Sequence, residues 1–229
     1  MKLSKMIMGN MVLLMSSAVL SGPVYAAEDG EGGEEGGTEE ASHATSKAQF
    51  ELQPGEGTVP PEVIDPELQP PTGNKGPLTL DAVSSFNFST KKIGTETEAP
   101  IEATPIEGTK LGLQVTDERG QDLGWNLKVS ATPFENSDKS IQLKGAVMTL
   151  PEGELTTKAG VDPLLKPTAF KVELSENPTS IVKATETQGR SSWMNSFEGK
   201  GEKVTLAVPS GNKVASYKST ITWSLEDAP

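Results

Sequence analysis

Beyond Pro77 the chain alternates apolar and polar residues with a period of two, the signature of half-buried β-strands. Trp125, Leu127, Val129 and Ala131 make a clean odd-numbered apolar face. Leu111, Leu113 and Val115 alternate up to a turn at Asp117-Glu118-Arg119-Gly120. Leu78, Leu80 and Ala82 share a face and Phe86 and Phe88 follow. Ile141, Leu143 and Val147 continue the pattern, and Phe170, Val172 and Leu174 repeat it on even numbers. Val204, Leu206 and Val208 lead to a turn near Ser210-Gly211-Asn212. A last strand sets Tyr217, Ile221, Trp223 and Leu225 against Lys218, Thr220, Thr222 and Ser224 on the other side. No window of adequate length sustains a helical period, and Pro133, Pro151, Pro163, Pro167 and Pro178 punctuate as strand-connecting loops do. The expected fold is all-β: a single antiparallel β-sandwich or barrel-like domain closed by the C-terminal strand.

The first 77 residues break that pattern. Lys2 and Lys5, an apolar run from Met6 to Leu20, and the small-residue end Val24-Tyr25-Ala26 read as a secretory signal peptide over 1–26. The run is interrupted by Gly9 and Asn10 and is short of the roughly 20 residues a membrane span needs. No second apolar span follows, so no transmembrane segment is expected in the mature chain. Residues 27–46 place seven carboxylates among glycines with no side chain larger than Ala among the apolar ones; such a segment is expected to be disordered. Lys47 to Leu52 (KAQFEL) predicts one strand with Phe50 and Leu52 on one face. It opens a β domain over 47–229. Within that domain, 53–77 is a proline-rich arm, an extended polyproline spacer or an arm lying on a surface.

Charge and composition narrow the chemistry. Twenty basic residues against 32 acidic ones give a net charge of −12. No nucleic-acid partner is expected of a chain this acidic, because phosphate neutralisation needs clustered Lys and Arg. With no Cys and one His, disulfides, thiolate metal sites and cysteine nucleophiles are excluded. His43, the lone histidine, falls in the acidic segment, which leaves the serines without a base. No metal and no cofactor is expected. Residues 1–26 contribute +2, 27–46 contribute −7 and 47–229 contribute −7. Simple attraction to an anionic polymer therefore cannot be what holds this chain at any surface.

Catalytic patterns are absent: there is no Gly-x-Ser-x-Gly elbow and no phosphate-cradling loop. The carboxylates Asp117, Glu118 and Asp122 lie in a turn-like stretch, where such groups normally face water. Two short motifs stand out: Trp125-Asn126-Leu127 and Trp223-Ser224-Leu225. Each is Trp-x-Leu on a strand, which sets the Trp and the Leu on one face. Two readings stand side by side. Both pairs are core, the commoner fate of Trp on a half-buried strand, or they form an aromatic platform whose rings stack on sugars.

With Gly76-Pro77-Leu78-Thr79-Leu80-Asp81-Ala82-Val83-Ser84-Ser85 after the prolines, Leu113 to Gly120 before the first motif, and a closing Tyr217 to Pro229 (YKSTITWSLEDAP), the chain resembles the WxL domain of Gram-positive surface proteins. The resemblance spans roughly Ser46 to Pro229. It implies non-covalent attachment to the cell wall through peptidoglycan, with Trp125, Leu127, Trp223 and Leu225 as binding residues. It also implies partners: a WxL-interacting membrane protein and other, sortase-anchored surface proteins, assembled in a surface complex. The chain carries little beyond that domain, so it is similar to the small members of the family. Leu150-Pro151-Glu152-Gly153 has Gly where a sortase signal has Thr.

The expected protein is secreted and extracellular, at the cell surface in the wall, and works by attachment rather than catalysis. Two alternatives belong to other classes. One is an interaction module retained at the wall indirectly, through a membrane or sortase-anchored partner docked on a strand edge or on the arm. The other is a host-matrix adhesin.

Overall fold

The computed structural model describes residues 46–94 and 99–228. The signal peptide expected over 1–26 and all but the last residue of the acidic segment over 27–46 lie outside them. The β domain is the unit Phe50–Pro229. Among the described residues it is all-β, with one 3₁₀ turn at Pro163–Leu165 and no helix long and apolar enough to cross a membrane.

The described residues form thirteen strands: β1 (Leu78–Val83), β2 (Asn87–Phe88), β3 (Ile101–Thr104), β4 (Gly112–Asp117), β5 (Trp125–Ala131), β6 (Val147–Leu150), β7 (Glu154–Thr157), β8 (Thr168–Ala169), β9 (Val172–Glu173), β10 (Thr179–Ala184), β11 (Ser191–Ser196), β12 (Thr205–Ala207) and β13 (Ile221–Asp227). They form three antiparallel sheets, ordered β1-β4-β11-β7, β13-β5-β10-β8 and β2-β3-β12-β6-β9. One hydrophobic core draws on all three: Leu113, Val115 and Trp193 from the first, Trp125, Leu127 and Val182 from the second, Met148, Leu150 and Leu206 from the third.

β5 forms because its apolar residues fall on every second position. Trp125, Leu127, Val129 and Ala131 are buried while the residues between them are only half-buried. β4 is buried on both faces. Leu113 and Val115 face the core, but Gln114 and Thr116 need a polar cover, and the proline-rich arm supplies it. The Gln114 side chain accepts from the Ile64 N–H at 2.7 Å and donates to the Glu62 carbonyl at 3.1 Å. Further along, Leu68 is buried and bridges to Lys110, and Pro71 bridges to Ala82 at the β1 edge. Lys110 pairs with Asp65 and Glu67, each at 2.8 Å. The arm is thus stitched onto the fold by hydrogen bonds rather than held off as a spacer.

Several strand expectations shift. Among the described residues Lys47–Leu52 pairs with no strand, and Phe50 and Leu52 are 86% and 83% exposed. Ile141 and Leu143 belong to a turn closed by bonds from Asn136 to Ile141 and from Leu143 to Phe134. Val147 faces solvent while Met148 and Leu150 enter the core. The run Val-Met-Thr-Leu is apolar at both parities, and pairing of Met148 with Leu206 decides the face. Of the even-numbered run 170–174 only Val172 lies in a strand, β9, while Phe170 falls between β8 and β9 and is 40% exposed. β7, β10 and β11 carry no clean alternation and emerge only in the fold. β11 (SSWMNS) is polar in composition, yet Trp193 and Asn195 are fully enclosed.

Candidate functional site

The two Trp-x-Leu motifs lie on neighbouring strands. β13 pairs antiparallel with β5 so that Leu225 opposes Leu127, Trp223 opposes Val129 and Asp227 opposes Trp125. Residues directly opposed share a face, so all four motif residues point to one side of the sheet. The two indoles stand four positions apart along the ladder, about 14 Å at the rise of an antiparallel strand.

Their environments differ. Trp125 and Leu127 have no solvent exposure. The Trp125 Nε1–H donates to the Gly189 carbonyl at 3.2 Å, which satisfies its one polar atom. Close approach fixes the neighbours: Gly189 has φ +85° and a Cβ there would lie 2.3 Å from the Trp125 Nε1. Gly124, just before the motif, has φ +64° and its Cβ would lie 2.5 Å from the Ala184 carbonyl. Only glycine fits either position. The first motif therefore contacts only protein.

The second motif lies on the edge of its sheet. Ile221, Trp223 and Leu225 are half-buried and the residues between them exposed. Trp223 and Leu225 form one side of a groove of about 510 Å³. Its other side comes from Asn74, Lys75, Pro77 and the start of β1, with Leu78 and Leu80 as apolar floor. The groove thus opens between the edge strands of two different sheets, β13 and β1.

Charge in the groove is asymmetric. Asp227 reaches it but is held by the Arg119 Nη1 at 2.5 Å. Arg119 also grips Asp117, whose side chain is fully buried, at 2.8 Å, and donates to the Gly124 carbonyl at 2.8 Å. This clasp ties the end of β4 to the end of β13 across two sheets. Lys75 is exposed and has no ion pair among the described residues, so the groove's uncompensated charge is positive.

Behind the groove wall, β1 turns Thr79 and Asp81 the other way, into the polar layer beneath the arm. Asp81 Oδ1 accepts from the Thr79 hydroxyl at 2.6 Å, and Oδ2 accepts from Gln114 Nε2 at 2.8 Å and the Thr116 hydroxyl at 2.6 Å. No cation reaches it among the described residues. Burial pushes its carboxyl above the ordinary range, against the pull of those three donors. This network fixes the floor on which Leu78 and Leu80 present themselves.

Of the carboxylates in the turn-like stretch, Asp117 is locked to Arg119 and Asp122 pairs with Arg190. They do not face a common cleft with a raised acid beside a free base. No cluster of three potential metal ligands occurs among the described residues. Sequence reasoning found both motifs but missed Lys75, Arg119 and the arm as parts of the site. The Gly76-to-Ser85 run was a signal, but nothing in it says that it faces the last strand.

Residues 39–229 match a family model described as "WxL domain surface cell wall-binding". No curated protein and no solved structure matches.

Proposed function

The chain belongs to the WxL family of surface cell wall-binding domains, and from that premise we propose that the groove beside Trp223 and Leu225 holds peptidoglycan and so anchors the protein non-covalently to a Gram-positive wall. The observation that carries the reading is the partition of the motifs. One Trp-x-Leu pair is sealed in the core, and the other lines an open groove whose volume lies within the usual range for ligand sites. The exposed part of the Trp223 indole offers a face for a sugar ring, and Leu225 and Leu78 add apolar contact. Lys75 suits the free carboxylates of the wall's stem peptides. Trp125 and Leu127 serve as positioning residues: they set the β5 register against which β13 is held. The mature chain, after removal of 1–26, acts outside the cell and takes its place in a surface complex with membrane and sortase-anchored partners.

Sedimentation with purified, protein-free sacculi tests this. Wild type is expected in the pellet, and Trp223→Ala, checked for a native circular dichroism spectrum and melting curve, is expected to lose at least about tenfold in affinity, the loss of one well-buried aromatic contact. A folded Trp223→Ala that pellets like wild type overturns the reading.

One observation favours a second reading, the unpaired β13 edge, which suits a protein partner. Retention only after a membrane partner is added back to the sacculi identifies protein-mediated anchoring instead.

A further inference from the structure

Among the described residues two features are left without a strand partner, and they complement each other. The first is the free side of β13. Thr132 N–H donates to the Thr220 carbonyl at 2.9 Å, and Glu135 and Lys218 exchange both of their backbone bonds. Even-numbered residues of this segment therefore bond towards β5. By the alternation of an antiparallel ladder, Ile221, Trp223, Leu225 and Asp227 direct their N–H and C=O groups to the outer edge. No strand of the sheet lies along that edge. The second feature is Lys47–Leu52, a strand pattern that pairs with nothing and leaves Phe50 and Leu52 in solvent.

We propose that Lys47–Leu52 of one copy adds as an antiparallel strand to the β13 edge of a second copy, with Phe50 seated in the groove against Trp223. One register satisfies every position. Ala48, Phe50 and Leu52 oppose Leu225, Trp223 and Ile221, so apolar meets apolar on the groove face. Lys47, Gln49 and Glu51 oppose Glu226, Ser224 and Thr222 on the solvent face, so Lys47 meets the one carboxylate that β13 presents there, and Glu51 meets a neutral Thr222. Glu226 is 46% exposed, and its present partner Lys128 leaves room for a second cation. The three groove-face pairs are hydrogen-bonded pairs that exchange two bonds each, and Phe50 with Trp223 is the aromatic cross-strand pair that strengthens such a ladder.

The geometry also points to a second copy rather than to the chain's own segment. Gly55 N–H is tied to the Glu118 carbonyl at 2.9 Å, next to Arg119, which holds Asp227. The chain's own Leu52 is therefore tethered towards the Asp227 end of β13, three residues or about 10 Å from that anchor. The antiparallel register needs Leu52 at Ile221, six residues or about 20 Å up the strand. Its own segment reaches β13 only in parallel, which carries Glu51 towards Glu226 and Asp227 and leaves Lys47 away from them.

Phe50 and a wall glycan take the same groove, so the self-paired copies and the wall-bound protein are alternative states of one site. The absence of Cys from the chain allows the paired state to be tested in a solution free of wall material, where its failure leaves the wall reading untouched. Full chains carrying Gln49→Cys and Ser224→Cys separately are mixed and mildly oxidised. Both sites are exposed, so neither substitution threatens the fold. The expected product is a disulfide-linked heterodimer, at least fivefold above that from Gln49→Cys with Thr222→Cys. Wild type is expected to show concentration-dependent association in sedimentation velocity, abolished by Phe50→Asp, whose site is exposed in the single copy. Three results overturn the proposal: wild type that stays monomeric up to about 1 mM, equal yields from the two cysteine pairs, or a doubly substituted Gln49→Cys/Ser224→Cys chain that closes only on itself.

Discussion

Replacing Trp125 with Ala removes a side chain that has no solvent exposure and whose Nε1–H bonds to Gly189. Transfer loss and residual cavity together cost about 3–5 kcal/mol for a fully buried Trp. The abandoned Gly189 carbonyl adds about 1–3 kcal/mol where water cannot reach it. A domain of this size loses about 2–4 °C in Tm per kcal/mol, so the core term alone lowers the melting temperature by about 6–20 °C. Trp223 is half-buried on an edge strand, and its truncation costs about 1–2 kcal/mol by the smaller area withdrawn from water. Urea unfolding followed by far-ultraviolet circular dichroism, which does not depend on the indole removed, separates the two. The expected pattern is crossed: Trp125→Ala shifts the midpoint strongly and, at temperatures where it is folded, keeps most of its sacculus binding. Trp223→Ala shifts the midpoint little and loses the binding. A Trp125→Ala protein that melts within about 2 °C of wild type but no longer pellets with sacculi would refute the assignment of Trp125 to positioning.

Three further outcomes follow from the groove's supports. Asp81 is buried without a cation and its folded pKa is raised by desolvation, so its stabilising contribution is complete below the unfolded value of about 3.9 and is lost as pH rises through the folded pKa. The difference in unfolding free energy between wild type and Asp81→Asn, measured by urea titration at several pH values, is expected to move against wild type across that window and then flatten; a difference that is flat throughout contradicts the buried charge. Gln114→Ala strips Ile64 N–H and Glu62 C=O of their partner, at about 1–3 kcal/mol per orphaned group. Limited proteolysis is expected to cut first within 53–77, and an arm as resistant as in wild type counts against the clasp. Arg119→Ala leaves Asp117 as an uncompensated buried charge and costs about 3–5 kcal/mol, read as a shift in the urea midpoint; Arg119→Lys recovers only part, since a Lys cannot grip Asp117, Asp227 and Gly124 together.

The strands legible in advance were those whose alternation is long and unambiguous. β4, β5 and β13 are all readable from Leu113, Trp125 to Ala131, and Ile221 to Leu225. β11 was not, because a central strand covered on both faces has no solvent side to write in polar residues, and Ser192 and Asn195 are enclosed with Trp193. The arm was half-legible. Its prolines announced an extended path, but that path's contacts depend on Gln114 and Lys110, fifty and forty-odd residues away. For the same reason the motifs were found and their division between core and groove was not: local pattern sets which face a Trp takes, while sheet order sets whether that face is central or at an edge. Lys47–Leu52 shows the converse, a strand pattern whose partner the single chain does not supply.

The pairing of β13 with β5 joins residues about ninety to a hundred apart in the chain. Closing a loop of that length costs on the order of 4 kcal/mol of chain entropy before any contact rewards it, and such distant pairings are slow to form. β5 waits likewise for β10, and β4 waits for β11. Trp125 has no Gly189 carbonyl to bond until that later segment is present, and Trp223 has no groove to line until β1 and the arm are seated. A partly made chain therefore lacks the groove on which both proposed contacts depend. Attachment begins with the last strand, at whatever place folding is completed.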